Sequence, residues 1–262
     1  MYYIVQKNVF RETNYDIIFK ALEKLGLEFE VVEFDENNNV EFKTKRKDVF
    51  PFGSVRLAKV SADEDWFPGS FFGGNHDFSI YSQHYKENLL NYDSKIYRFG
   101  DILEWEVNEL KFIRPCKDSK LFTGRVFTKT KWEDMVSMKK ENPYFKEEML
   151  DDLIQVTNPK EIYKEARMWI VDGKVVTSSY YKFGDFLPYE ESVEQAGVDF
   201  ANEMALLYQV ADTFVMDICL TPDGWKIVEI NCTNCSGFYK GDMQKLIIAL
   251  ENKFNPIKLD KL

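Results

Sequence analysis

The sequence predicts an α/β protein with a parallel sheet at its start and antiparallel hairpins toward its end. Three observations carry this prediction: a strand, helix, strand opening; two later hairpins with arms rich in β-branched and aromatic residues; and two amphipathic helices in the C-terminal third.

Residues 2–6 are apolar, residues 15–24 place Ile17, Ile18, Ala21 and Leu22 at helical spacing, and residues 27–34 contain Phe29, Val31 and Val32. Asn14 can cap this helix and Gly26 stands where a C-terminal glycine is expected, which gives a βαβ unit. Residues 36–47 are polar and read as a loop. Residues 48–74 are rich in aromatic residues and glycine, with turn chemistry at 51–54 and 66–69. A helix is expected over 78–90, with His76 and His84 in packing or surface roles because neither has a partner at a metal spacing.

Residues 106–115 read as a strand running into the polar loop 116–124, with 126–128 as its return. Thr130 followed by Glu133 is a capping box for a helix over 131–140. Residues 152–156 form a short strand and Pro159 breaks the chain. Residues 164–171 and 174–181 form a hairpin closed by Asp172-Gly173, the strongest such signal in the chain. Residues 192–210 form an amphipathic helix with Val193, Ala196, Phe200, Met204 and Leu207 on one face. Asp242 caps a last helix that turns Met243, Leu246, Ile247, Leu250 and Phe254 to the core.

With 262 residues and 45% apolar content, the chain can bury a large core in one or two domains. It contains no run near the roughly 18 apolar residues a membrane span needs, and its start lacks a signal-peptide layout, so a cytoplasmic location is expected. The cysteines Cys116, Cys219, Cys232 and Cys235 are too few for a disulfide scaffold. A net charge of -10 argues against binding nucleic acid or an anionic membrane. Residues 111–131 reverse that average with seven basic residues against Asp118, a suitable place for a small polyanion or simply a solvated basic face.

The most informative segment is 214–231, where two strand-like arms flank the turn Thr221-Pro-Asp-Gly224. A turn centred on Asp223 sets Asp217 opposite Glu229, with Cβ atoms roughly 4.5–5.5 Å apart. Carboxylates that close repel and call for a cation, and with the Asn231 carbonyl they suit magnesium completed by phosphate oxygens. A slip of one residue in register would carry one carboxylate to the opposite face.

Other candidates are weaker alone. Arg114 ends a strand before a loop offering Ser119, Lys120, Thr123 and Gly124, which can enclose phosphates but is not a Walker A loop. Glu165 and Arg167 share a strand face with Trp169 and can hold a ribose and a phosphate or form an ion pair; Lys182 is a further phosphate candidate. Cys232 and Cys235 have C-x-x-C spacing, but no second pair completes a zinc site and no thioredoxin-like context surrounds them, so they read as incidental.

Taken in order, these pieces resemble the ATP-grasp superfamily, and residues 112–115, 165–176 and 228–237 look like a compact branch common in bacteriophages and bacteria. The resemblance implies an N-terminal βαβ domain over 1–95, a small lobe with a phosphate-covering loop over 96–157, and a metal-bearing lobe over 158–262. It implies that Asp217, Glu229 and Asn231 hold magnesium bridging the phosphates of ATP, with Arg114 where many members carry lysine and Lys120 in the covering loop. Ile154, Gln155 and Val156 match the hinge that takes adenine through the backbone, Glu165 matches the ribose-binding residue, and Arg167 resembles a position near the reacting phosphate.

The activity implied is a carboxylate-amine ligase acting through an acylphosphate, on an amino acid or peptide. The alternatives are a small-molecule kinase and a non-catalytic nucleotide-binding protein. Residues 50–78, with Arg56 and Lys59, are expected near the acceptor.

Overall fold

The computed structural model describes all residues except 8, 10–14, 107, 118–120, 185–189, 192 and 256–262. It divides into two compact units, Met1–His76 with Ile162–Leu262, and Asp77–Glu161.

In the first unit, β1 (Tyr2–Gln6) pairs in parallel with β2 (Phe29–Val32) on one side and β3 (Val49–Phe52) on the other. Helix α1 (Ile17–Lys24) makes the first crossover, and Gly26 beyond it adopts φ +62°, the left-handed conformation that suits glycine. The expected cap Asn14 lies outside the described residues. Strand β3 and helix α2 (Val55–Asp63) occupy a region expected only to be rich in turns. Pro51 hides the strand, yet β3 is an edge strand, where a residue without an N–H is tolerated.

The second unit holds α3 (Phe78–Tyr85), β4 (Lys95–Arg98), β5 (Lys111–Pro115), β6 (Arg125–Phe127), α4 (Lys129–Lys140) and β7 (Leu153–Thr157). Its sheet is antiparallel in the order β4, β7, β5, β6. Phe99, Ile113, Phe127, Trp132 and Ile154 form its core. The capping-box expectation is corrected by two residues: Thr128 caps α4, its Oγ1 accepting from Lys131 N at 3.3 Å.

The remaining elements return to the first unit: β8 (Lys164–Val171), β9 (Lys174–Phe183), β10 (Glu190–Glu191), α5 (Gln195–Leu207), β11 (Thr213–Thr221), β12 (Gly224–Asn231) and α6 (Met243–Phe254). Their sheet order is β10, β9, β8, β11, β12. The hairpin between β8 and β9 closes as expected at Asp172 and Gly173, with φ values of +53° and +73°.

One core joins Tyr3, Phe50 and Phe52 of the parallel sheet to Trp169, Val215, Leu246 and Ile247 of the antiparallel sheet and α6. The βαβ segment and the C-terminal lobe, expected as separate domains, therefore fold as one unit. A buried ion pair reinforces the joint, the Met1 amino group donating to Glu251 at 2.9 Å beside the hydroxyl of Tyr3. Among the described residues no helix is long and apolar enough to cross a membrane.

His76, expected in a packing or surface role, is half-buried. Burial lowers its pKa from the ordinary 6.5, its Nδ1 lies 3.3 Å from Gly73 O, and its Nε2 has no partner among the described residues. A depressed folded-state pKa means that the unfolded chain takes up more protons as pH falls below about 6.5, so stability drops on the acid side. Urea unfolding followed from pH 7.5 to 5.5 is expected to show a smaller loss of stability for His76→Gln than for the parent.

Candidate functional site

The acidic hairpin forms with the expected pairing for a different reason. Its loop is Pro222-Asp223, closed by Thr221 opposite Gly224. Continued without interruption from Ile218 opposite Ile227, that register would place Asp217 opposite Val228. A bulge between Asp217 and Ile218 inserts Val228 unpaired and restores Asp217 opposite Glu229.

The register then continues into β8 and β9. One row of directly facing residues runs Ser179, Arg167, Asp217, Glu229 across four strands. A neighbouring row runs Lys182, Glu165, Cys219, Lys226, and on the other side lie Thr177, Trp169, Val215, Asn231. Facing residues share a side of the sheet, so Glu165, Lys182, Arg167, Asp217, Glu229 and Asn231 all occupy one surface. Trp169 anchors this surface to the core, where Gly241 approaches so closely that a Cβ there would lie 2.7 Å from the indole.

Arg167 and Asp217 are both buried and form a two-pronged pair, Nε to Oδ1 and Nη2 to Oδ2, each 2.8 Å. Arg167 Nη1 donates to Gly237 O at 3.2 Å, and Asn231 Nδ2 donates to Asp217 Oδ2 at 3.2 Å. The guanidinium lies 4.7 Å from the Tyr239 ring centre, and Tyr239 stacks on Tyr181. Burial pushes the Asp217 carboxyl up, Arg167 pulls it down and Glu229 pushes it up again, leaving it at about 6 and ionised at neutral pH. Burial opposes the charge of Arg167, but Asp217 outweighs it and holds the guanidinium well above its ordinary value.

The ion-pair alternative for Glu165 and Arg167 is corrected in its partners. Glu165 accepts from Lys182 Nζ at 2.6 Å and from the Tyr181 hydroxyl at 3.1 Å, whereas Arg167 belongs to Asp217.

The donor set fits magnesium by its chemistry: two facing carboxylates and an amide carbonyl on one surface are hard oxygen donors. Arg167 and Asn231 make three hydrogen bonds to Asp217, and Glu229 interacts with it as well. Among the described residues no group of three or more His, Cys, Asp or Glu could hold a metal, which leaves a pair of carboxylates, the number magnesium ordinarily takes from protein.

In the second unit, Arg114 on β5 faces Gln155 on β7. Gly124 passes so near that a Cβ would lie 2.7 Å from Arg114 Cβ, which is why this loop carries glycine. Lys120 and Ser119 lie outside the described residues. Ile154, Gln155 and Val156, expected at the adenine, lie on β7, which pairs with β4 along one edge and β5 along the other. Arg56, expected near the acceptor, donates to Asn38 and covers the Phe34 ring.

Sequence reasoning missed Tyr181, Tyr239, Gly237 and Asn234. Asn234 holds the turn after Asn231 to the parallel-sheet segment: its Oδ1 accepts from Phe71 N at 2.9 Å and its Nδ2 donates to Pro51 O at 2.8 Å. Asn234→Ala is expected to cost about 2–4 kcal/mol in urea unfolding, since it strands buried backbone groups. The nearby Asn231-Cys-Thr-Asn234 spacing hinted at polar turn chemistry, but Tyr239, at φ +46°, had no local signal. The four cysteines are free, and burial pushes the Cys116 and Cys219 thiols up to about 12.

A βαβ segment sharing a core with an antiparallel sheet that carries a row of acidic and basic residues, and a second, four-stranded unit, match the ATP-grasp class of fold. A family model described as an ATP-grasp domain, family 3 of its clade, matches residues 56–250, and the chain belongs to that family. Among solved structures it is similar to D-alanine–D-alanine ligase from Bacillus anthracis complexed with ATP, with 12% identity, 100% of both chains covered and a TM-score of 0.62. It is also similar to D-cycloserine synthetase DcsG, with 12% identity, coverage of 97% of this chain and 99% of that one, and a TM-score of 0.58. The ATP-grasp ligase PsnB complexed with minimal precursor gives 14% identity, 96% and 98% coverage, and a TM-score of 0.55. At these identities the likeness is one of fold. No curated protein matches the chain.

Proposed function

We infer that this protein is an ATP- and magnesium-dependent ligase joining a carboxylate to an amine, on an amino acid or a peptide. The observation that carries this reading is the row in which buried Arg167 and Asp217 face each other and half-buried Glu229 faces Asp217. Two carboxylates held face to face repel, and hard oxygen donors in that arrangement suit a divalent cation bound to phosphates. Ligases of similar fold have been crystallised with ATP and with Mg and ADP, which supports the same chemistry here.

In this reaction the substrate carboxylate attacks the γ-phosphorus of ATP, ADP leaves, and the amine then displaces phosphate from the acyl carbon. Phosphoryl transfer demands alignment and charge neutralisation more than a covalent nucleophile. Arg167 supplies a planar fork for phosphate oxygens. Glu165, oriented by Lys182 and Tyr181, accepts from the ribose hydroxyls. Magnesium held by Asp217, Glu229 and Asn231 would neutralise phosphate charge.

Calorimetry with ATP and magnesium, followed by product mass analysis against amino acids and peptides, tests the reading. Heat of binding and an amide product are expected. Absence of nucleotide binding sinks it, and a stable phosphorylated product without an amide bond replaces it with a kinase.

A further inference from the structure

The acidic pair of Asp217 and Glu229 demands a cation, and the chain itself supplies one. Arg167 stands directly across from Asp217 on the neighbouring strand and takes both of its carboxylate oxygens. With Asn231 on Oδ2 and Glu229 interacting with it as well, Asp217 is already engaged on every side that the structure shows. Magnesium requires near-ideal octahedral geometry and gives up its waters reluctantly, so a carboxylate held by a buried guanidinium is a poor invitation.

We propose that Arg167 is the resident counter-cation of this acidic pair, and that it gives way to metal only when nucleotide phosphates arrive to receive its guanidinium. The inference rests on the ATP and magnesium reading and adds an order to it: nucleotide and metal bind together, while metal alone is excluded.

The surroundings suit such an exchange. The third anchor of Arg167, Gly237 O, is a long contact at 3.2 Å, whereas Tyr239 covers the flat face of the guanidinium. A planar cation can slide across an aromatic face while keeping much of that attraction, so the fork can turn from a carboxylate to a phosphate without passing through an unpaired state. Phosphate oxygens match the fork as a carboxylate does, and their negative charge then offsets the metal that Asp217 and Glu229 accept. Tyr181 stacks beneath Tyr239 and donates to Glu165, so the surface over which Arg167 moves is itself held in place.

The test is manganese binding, read by electron paramagnetic resonance without nucleotide. The parent protein is expected to bind manganese weakly alone and tightly with ATP. Arg167→Gln is expected to bind manganese without nucleotide at least about tenfold more tightly than the parent, and adding Asp217→Asn is expected to remove that gain. A folded Arg167→Gln protein, judged by circular dichroism, that binds manganese no more tightly than the parent overturns the proposal.

Should Arg167→Gln fail to fold, the Arg167 Nε–H resonance of the parent, assigned with Arg167→Lys, decides the matter. It is expected to move on addition of ATP with magnesium, and a resonance that stays fixed while calorimetry shows nucleotide bound overturns the exchange. Failure of the parent to bind nucleotide counts against the ligase reading instead, and the manganese comparison still decides the role of Arg167.

Discussion

Asp217→Asn is expected to lower the free energy of unfolding by about 3–5 kcal/mol, the range for removing one partner of a buried ion pair. Asparagine keeps the shape of the side chain and offers one oxygen to one guanidinium N–H. Its amide nitrogen then faces a second donor of Arg167, and the cation is left buried and underpaired. Urea unfolding measures the loss directly; a change below about 1 kcal/mol would mean that Arg167 has another sufficient partner.

The double change Arg167→Met with Asp217→Leu separates stability from chemistry. Apolar side chains of similar volume often match or exceed a buried pair in stability, so most of the lost free energy is expected to return. Nucleotide turnover is expected to stay lost. If the double variant is as unstable as Asp217→Asn, the pair holds the fold together and its retention says nothing about catalysis.

This pair also shows where reading the sequence stops. Arg167 and Asp217 are 50 residues apart, and their contact depends on β8 and β11 lying side by side, which no local pattern specifies. Glu165 and Lys182 sit in one hairpin whose Asp-Gly turn was legible, yet their facing positions also depend on a bulge between Glu165 and Ala166. At the acidic hairpin, the turn is half a residue from its expected centre and the Val228 bulge compensates. The correct pairing thus came from two offsets that cancel, and bulges of this kind are fixed by packing against neighbouring strands.

The strands that went unread are edges. Pro51 interrupts the pattern of β3, and β4 has a mostly exposed sequence with no alternating apolar face. Helical periodicity, in contrast, was legible in α1 and α6, where Ile18, Leu22, Leu246 and Leu250 reach the same core. The apolar faces of those helices share one core with residues of both sheets of the first unit.

Glu229→Gln isolates the other half of the acidic pair and is expected to behave oppositely to Asp217→Asn. Glu229 lies on β12, the edge of its sheet, and is only half-buried. Glutamine retains its shape and reach while removing the negative charge that pushes Asp217 upward. Stability is therefore expected to stay within about 0.5 kcal/mol of the parent. Turnover is expected to fall roughly 10²–10³-fold, the range for losing one group that stabilises charge in a preorganised site. ADP release in steady state and urea unfolding on the same preparation read both quantities. Activity within tenfold of the parent would remove Glu229 from the reacting centre. A stability loss comparable to that of Asp217→Asn would make Glu229 a structural residue. A large loss of turnover at nearly unchanged stability is the combination expected of a charge placed for the phosphates, because Arg167 already neutralises Asp217 within the fold.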